Sequence, residues 1–280
     1  MFFHYNAWLS ASRGDKKLSK LQALIFDVDG TLADTERDGH RVAFNRAFAD
    51  AGLDWHWTVE QYGELLRVTG GKERIHYYLE RHRPEFRQDS LDLFIRELHR
   101  RKTKIFTQML AQGKVPLRPG VKRLLSQARA HDVRLAIATT TTPENVYALL
   151  EQALGDGVSW FETIAAGDVV PHKKPAPDIY RYVLEQMNLS AGECLAFEDS
   201  HNGLVAALDA GIRTLVTVNA YTYDHDFSRA LLVLDHLGEP DCAFTALQGD
   251  VGMASCVDME LLTRLSEQVH SAPGDTLARA

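Results

Sequence analysis

Short apolar runs and helical stripes alternate along most of this chain. The runs at 23–26, 134–138, 163–166, 194–197 and 214–218 are rich in Ile, Leu, Val, Ala or Phe and bounded by Gly, Asp or Thr. Uninterrupted apolar runs of that length predict parallel strands covered on both faces. Between the later runs, apolar positions recur with helical spacing over 121–130, 143–154, 178–187 and 202–210. Strand and helix in alternation predict an α/β fold, a doubly wound, Rossmann-like parallel sheet.

The first interval breaks that rhythm. Between Thr31 and Pro116 the pattern is helical throughout, with helices predicted over 37–51, 59–68, 74–83 and 90–112. About eighty such residues are far more than the dozen or so a crossover needs. They predict an inserted all-helical cap domain over 34–115, with the catalytic core formed by 21–33 and 116–250. The returning segment Val115-Pro116-Leu117-Arg118-Pro119-Gly120 has the punctuation of a hinge. Residues 1–20 read as an N-terminal extension, and 251–280 as a C-terminal helix (258–269) with a tail.

Composition narrows the function classes. The 280 residues are 45% hydrophobic and 25% charged, enough to bury a sizeable core without staples. A net charge of −7 points away from nucleic acid and anionic membranes, so an anionic substrate needs a local basic pocket. Three widely spaced cysteines, Cys194, Cys242 and Cys256, make no zinc pattern and suit a reducing compartment. No apolar run approaches the roughly 18 residues that span a bilayer, and the N-terminal order, apolar first and basic after, is wrong for a secretory signal. The expectation is a cytoplasmic monomer, or a stromal protein if the source is a plant.

Four short motifs carry candidate chemistry. Asp27-Val28-Asp29-Gly30-Thr31 follows the first strand, where open α/β sheets bind ligands. Two carboxylates two residues apart can divide the work: one attacks phosphorus, the other donates and recovers a proton. A surface Asp-Gly turn is the alternative, but average residue usage gives the pattern by chance in only about 3 chains of this size per thousand. The second motif ends a strand at Thr139 and continues Thr140-Thr141-Thr142-Pro143, a hydroxyl and a helix start that suit an anion; a simple capped helix also explains it. In Lys173-Lys174-Pro175, Lys174 can neutralise phosphate and attacking carboxylate together, although an exposed lysine is the reading without context. Leu195-Ala196-Phe197-Glu198-Asp199 ends a buried strand in two acids, which is costly unless they hold a cation or a donor.

These motifs, in this order at successive strand ends, resemble those of the haloacid dehalogenase-like hydrolases, over roughly 21–235. The resemblance implies a phosphoryl-transfer enzyme with Asp27 as nucleophile, Asp29 as acid and base, and Thr139 and Lys174 on the phosphoryl oxygens. Magnesium would be held by Asp27, Asp199 and the Asp29 backbone carbonyl, with Glu198 orienting its waters. Within that superfamily, Asp34-Thr35-Glu36-Arg37-Asp38-Gly39-His40, Tyr62-Gly63-Glu64 and Gly70-Gly71-Lys72-Glu73-Arg74 resemble the CbbY phosphatases, which remove xylulose-1,5-bisphosphate.

That likeness implies a small phosphorylated sugar as substrate, met by Glu36, His40, Lys72, Arg74, Thr140 and Thr141. Many relatives space the cap glutamate and histidine three apart, whereas Glu36 and His40 are four apart; on a regular helix both would still share one face. Lys72 and Arg74 behind two glycines suit a second phosphate gripped by a mobile loop. A sugar phosphomutase and a phosphoglycolate-type phosphatase use the same core motifs and remain open on these residues.

Overall fold

The computed structural model describes residues 21–113 and 115–267; the expected extension over 1–20 and the end of the tail lie outside them. Strands β1 (Ala23–Phe26), β2 (Arg134–Thr139), β3 (Phe161–Ala166), β4 (Cys194–Glu198), β5 (Arg213–Thr217), β6 (Leu232–Leu234) and β7 (Ala246–Gln248) form one sheet in the order β3-β2-β1-β4-β5-β6-β7. The first six run parallel and β7 closes the edge antiparallel to β6. The order reverses at β1, where Phe26 stands opposite Ile137 on one side and Phe197 on the other. Such a switch point opens a crevice at the carboxyl ends of the strands.

β1 is buried along its whole length, and its side chains alternate between two apolar layers. Leu24 and Phe26 join Leu135, Ile137, Leu124 and Val121 on one face; Ala23 and Ile25 join Ala136, Ile179 and Val183 on the other. Helices α5 (Val121–Ala130) and α6 (Pro143–Leu154) cover the first face, and α7 (Asp178–Met187) and α8 (His201–Asp209) the second. α9 (Met259–Glu267) sends Met259, Leu261, Leu262 and Leu265 into the same core as α5, so this stretch is an integral part of the core. β6 and β7 were not expected, because three residues are too few to establish a period.

Between β1 and α5 the chain forms α1 (Arg41–Asp50), α2 (Val59–Leu65), α3 (Gly71–His82) and α4 (Leu91–Ala111). Phe44, Phe48, Trp55, Trp57, Tyr62 and Tyr78 fill a core of their own among them. α4 also reaches down to the sheet, where Phe106, Met109 and Leu110 pack with the α6 side. The regular helix expected from residue 37 is replaced over Glu36–His40 by a π turn. Among the described residues no helix is long and apolar enough to cross a membrane.

Candidate active site

The crevice at the end of β1 gathers Asp27, Asp29, Glu36, Arg74, Lys174 and Asp199 around a cavity of about 90 Å³. Core loops supply its floor and the cap its roof. Asp27 follows β1 directly, and its Oδ1 accepts from Lys174 Nζ at 2.7 Å. The same ammonium donates to Glu198 Oε1 at 2.6 Å and to the Ala138 carbonyl at 2.8 Å. Tyr180, fully buried on α7, also donates to Glu198 Oε1. Asp199 Oδ2 accepts from Asn219 Nδ2 at 2.7 Å.

The charge balance of this cluster is uneven. Burial pushes the Asp27 carboxyl up to about 7; Lys174 opposes the rise, while Glu198 and Asp29 add to it. Burial also pushes Asp199 well above the carboxylate range, helped by repulsion from Asp27 and Glu198. Lys174 bears the burial too, yet its two carboxylate partners hold its ammonium above the ordinary lysine value. Ligand atoms of Asp27, Glu198 and Asp199 lie within 4.8 Å of one another, and Glu198 Oε2 is buried without a partner. Three buried acids of which only Asp27 and Glu198 share an ammonium, with one Glu198 oxygen orphaned, are a donor set suited to a hard divalent cation. Gly203 belongs to this arrangement, since a Cβ there would collide with the Glu198 carboxylate.

Asp29 has a different setting. Thr35 Oγ1 donates to its Oδ1 at 2.5 Å, and His40 Nε2 lies 2.8 Å from the same oxygen. Burial works against the charge of Asp29, but His40 and Thr35 outweigh it and hold the carboxyl well below its usual range. Behind His40, Lys102 Nζ lies 2.7 Å from Nδ1. A lysine ammonium only donates, so it fixes the tautomer in which Nε2 carries the hydrogen and donates to Asp29. Lys102 is enclosed by Phe44 and Phe106, its nitrogen 4.9 and 5.1 Å from the ring centres.

The π turn packs closely at Gly39, where a Cβ would come within 2.7 Å of the Phe106 ring. Glu36 lines the cavity, accepting from the Tyr62 hydroxyl, whereas His40 stands behind Asp29. Both also line a smaller cavity of about 40 Å³ with Asp29, Arg74, Thr140 and Thr141.

Arg74 also lines the cavity: its Nη1 donates to Tyr62 Oη at 2.8 Å and lies 3.9 Å from Glu36, and its buried Nε has no partner. Lys72 does not join it. Its ammonium pairs with Asp168 and faces a separate cavity of about 540 Å³, so the expected Lys72/Arg74 pair on one ligand is split by their opposite directions from the first turn of α3. Thr139 is buried at the end of β2 and Thr140 lines the active cavity; Thr141 accepts from Asn145 Nδ2 at 3.0 Å to one side. Thr142 precedes α6 in extended backbone with Pro143 at the first helical position, but its hydroxyl does not cap the helix.

Sequence reasoning missed Thr35, Lys102 and Tyr180. Lys102 had a signal: it occupies an apolar stripe of α4 with Ile95, Leu98, Phe106 and Met109, where a charge is out of place. Arg118 in the return segment was read as hinge alone. Its guanidinium donates to the carbonyls of Gly30, Thr217, Val218 and Asp235, tying the turn after Asp29 to the ends of β5 and β6.

Known proteins share this architecture and sequence. A model of the haloacid dehalogenase-like hydrolases matches residues 21–211. A plasmid-encoded CbbY protein of Cupriavidus necator is 50% identical over 222 residues, covering 79% of this chain and 87% of its own length. A CBBY-like protein of Arabidopsis thaliana is 41% identical, over 78% of this chain and 70% of its own. The crystal structure of a CbbY variant from Rhodobacter sphaeroides in complex with xylulose-(1,5)bisphosphate superposes with a TM-score of 0.72 at 45% identity, covering 77% of this chain and 94% of that one. With the four motifs, the parallel sheet and the inserted helices in the family's order, this chain belongs to the haloacid dehalogenase-like hydrolases, in the CbbY group, and is an enzyme of the phosphatase class.

Proposed function

We propose that this enzyme is a magnesium-dependent sugar-phosphate phosphatase that works through an aspartyl-phosphate on Asp27, and that its substrate is xylulose-1,5-bisphosphate. The observation that carries the reading is the buried Asp27 carboxylate at the switch point, 2.7 Å from Lys174 and grouped with Glu198 and Asp199. Magnesium held by Asp27, Asp199 and the Asp29 carbonyl, with Glu198 orienting its waters, would neutralise phosphoryl charge and return Asp27 to its nucleophilic form.

In the first half-reaction an Asp27 oxygen attacks phosphorus while the bond from phosphorus to the sugar oxygen breaks. Lys174 and Thr139 hold the charge on the equatorial oxygens. The leaving oxygen takes a proton from Asp29. That proton has a source behind Asp29: Lys102 gives one to His40 Nδ1 as His40 Nε2 gives one to Asp29, leaving a neutral amine and a neutral imidazole. In the second half-reaction Asp29 takes a proton from water, the water oxygen attacks phosphorus, and inorganic phosphate leaves the restored Asp27 carboxylate; the proton on Asp29 then returns through His40 to Lys102, restoring the starting charges.

The bisphosphate assignment rests on Arg74, whose buried Nε has no partner in a cavity already served by Lys174, and on the ligand named for the Rhodobacter sphaeroides CbbY structure. Glu36 faces the sugar hydroxyls, with Thr140 beside it and Thr141 at the edge. The test is a panel of sugar mono- and bisphosphates, phosphoglycolate included, read by phosphate release with and without magnesium. Preferential release from xylulose-1,5-bisphosphate supports the reading. Isomerised sugar phosphate without free phosphate makes the enzyme a mutase, and preference for phosphoglycolate removes the sugar.

A further inference from the structure

The loop that carries Lys174 and the loop that carries Asp199 are each tied to one short stretch of the cap. On the first, Lys173 Nζ donates to Glu73 Oε1 at 2.9 Å and lies 3.1 Å from Asp168 Oδ1. The other oxygen of Asp168 takes the Lys72 ammonium. Lys72 and Glu73 from the cap thus alternate in sign with Asp168 and Lys173 from the core. On the second loop, Asn202 Nδ2 donates to Thr69 Oγ1 at 2.9 Å and to the Arg67 carbonyl at 3.3 Å. Gly70 lies between the two seams at a φ of +98°, where a Cβ would run into the Glu73 carboxylate and come within 3.0 Å of Lys173 Nζ.

We propose that Lys173 and Asn202 are positioning residues through which the seated cap holds the loops of Lys174 and Asp199 in their working places. What those loops do is taken from the function proposed above; the seam itself is independent of it. Lys173 is the chain neighbour of Lys174, so a displacement of one is felt by the ammonium that touches both Asp27 and Glu198. Asn202 stands in the first turn of α8, just after Asp199. Partly exposed ion pairs are individually weak, so the clamp biases closure without locking the cap, as product release requires. Breaking it lowers the fraction of molecules closed before substrate arrives, and the substrate's own contacts make up the deficit. KM therefore rises while kcat at saturation stays.

Asp168→Asn tests this, since Asp168 meets both the cap lysine and Lys173. KM should rise about three- to tenfold with kcat within about twofold. Lys72→Met should give a loss no larger than this, and the double variant should be no worse than Asp168→Asn alone, because Asp168→Asn already removes the contact they share. Spin labels at Leu93→Cys on the cap and Leu247→Cys on the core, with Cys242 and Cys256 replaced by Ser, read the cap position without any ligand. Asp168→Asn and Asn202→Ala should each shift that distance distribution toward longer values. An unchanged distribution overturns the proposal, as does a loss in kcat at normal KM or strict additivity of the two substitutions. The labels report without turnover. A wrong function would instead show as a normally seated cap in a wild-type protein that releases no phosphate from sugar phosphates.

Discussion

Replacing Lys102 by Met should lower activity while raising stability, a combination that follows from where the lysine is kept. Its nitrogen is fully buried between two phenyl rings, 2.7 Å from His40 Nδ1. Burial brings its pKa down from 10.5 to about 8, with the attraction of Asp29 and Glu36 only partly opposing the fall. At roughly 1.4 kcal/mol per pKa unit, keeping the cation there costs the fold about 3 kcal/mol at neutral pH. Methionine matches the stem and removes that cost, so the variant should melt at the same temperature or higher. It also removes the proton source and the tautomer lock on His40, which should reduce kcat about 10–100-fold on sugar phosphates. Aryl phosphates, whose leaving groups need no proton, should be nearly spared. The pH dependence has a defined sign. Between pH about 8 and 10.5 the unfolded chain holds a proton on Lys102 that the folded chain lacks, so wild-type stability rises with pH across that window. The variant should lack this rise, and should lack the fall in sugar-phosphate kcat through pH about 8. Thermal melts and pH–rate profiles check both arms. A variant with kcat within twofold of wild type, or one clearly destabilised, would refute the argument.

Three further outcomes follow from the site. Arg74→Ala should lower kcat/KM on xylulose-1,5-bisphosphate by about ten- to a hundredfold and leave acetyl phosphate nearly untouched, whereas Lys72→Ala should affect both substrates alike and less; steady-state kinetics on the two substrates separates them. Tyr180→Phe removes one of the two donors that turn Glu198, so the magnesium concentration at half-saturation should rise several-fold in titration calorimetry while the melting temperature falls by only a few degrees. Asp27→Asn should stay folded and lose phosphate release by several orders of magnitude.

Much of this was legible in the sequence because it depends on residue order. Each of the five predicted strands overlaps an observed one, and the helices over 121–130, 143–154 and 178–187 have the predicted bounds, since continuous apolar runs and clean helical periods leave few alternatives. Asp27, Asp29, Glu198 and Asp199 sit at or just past strand ends, and Lys174 on the loop from β3 to α7, all on the carboxyl side of the sheet, so topology brings them together. What escaped depends on three-dimensional direction. The Glu36–His40 π turn looks like an ordinary helix in sequence, and nothing local announces that His40 meets Asp29, eleven residues earlier. Lys72 and Arg74 are two residues apart, and two residues along a helix turn a side chain about 200° away, which sends one to Asp168 and the other to the cavity. Lys102 and Tyr180 act through partners far along the chain, 62 and 18 residues away, and no local pattern announces such pairs.

The central claim is that phosphate passes through a covalent bond to Asp27. An acyl phosphate is reduced by borohydride at the carbonyl carbon, which converts the aspartate that carried it into homoserine. Enzyme quenched into borohydride during turnover on xylulose-1,5-bisphosphate with magnesium, digested and sequenced by mass spectrometry, should carry homoserine at position 27 and unchanged aspartate at 29 and 199. Active, turning-over enzyme with no modification at 27, or with the modification at another carboxylate, would contradict the mechanism.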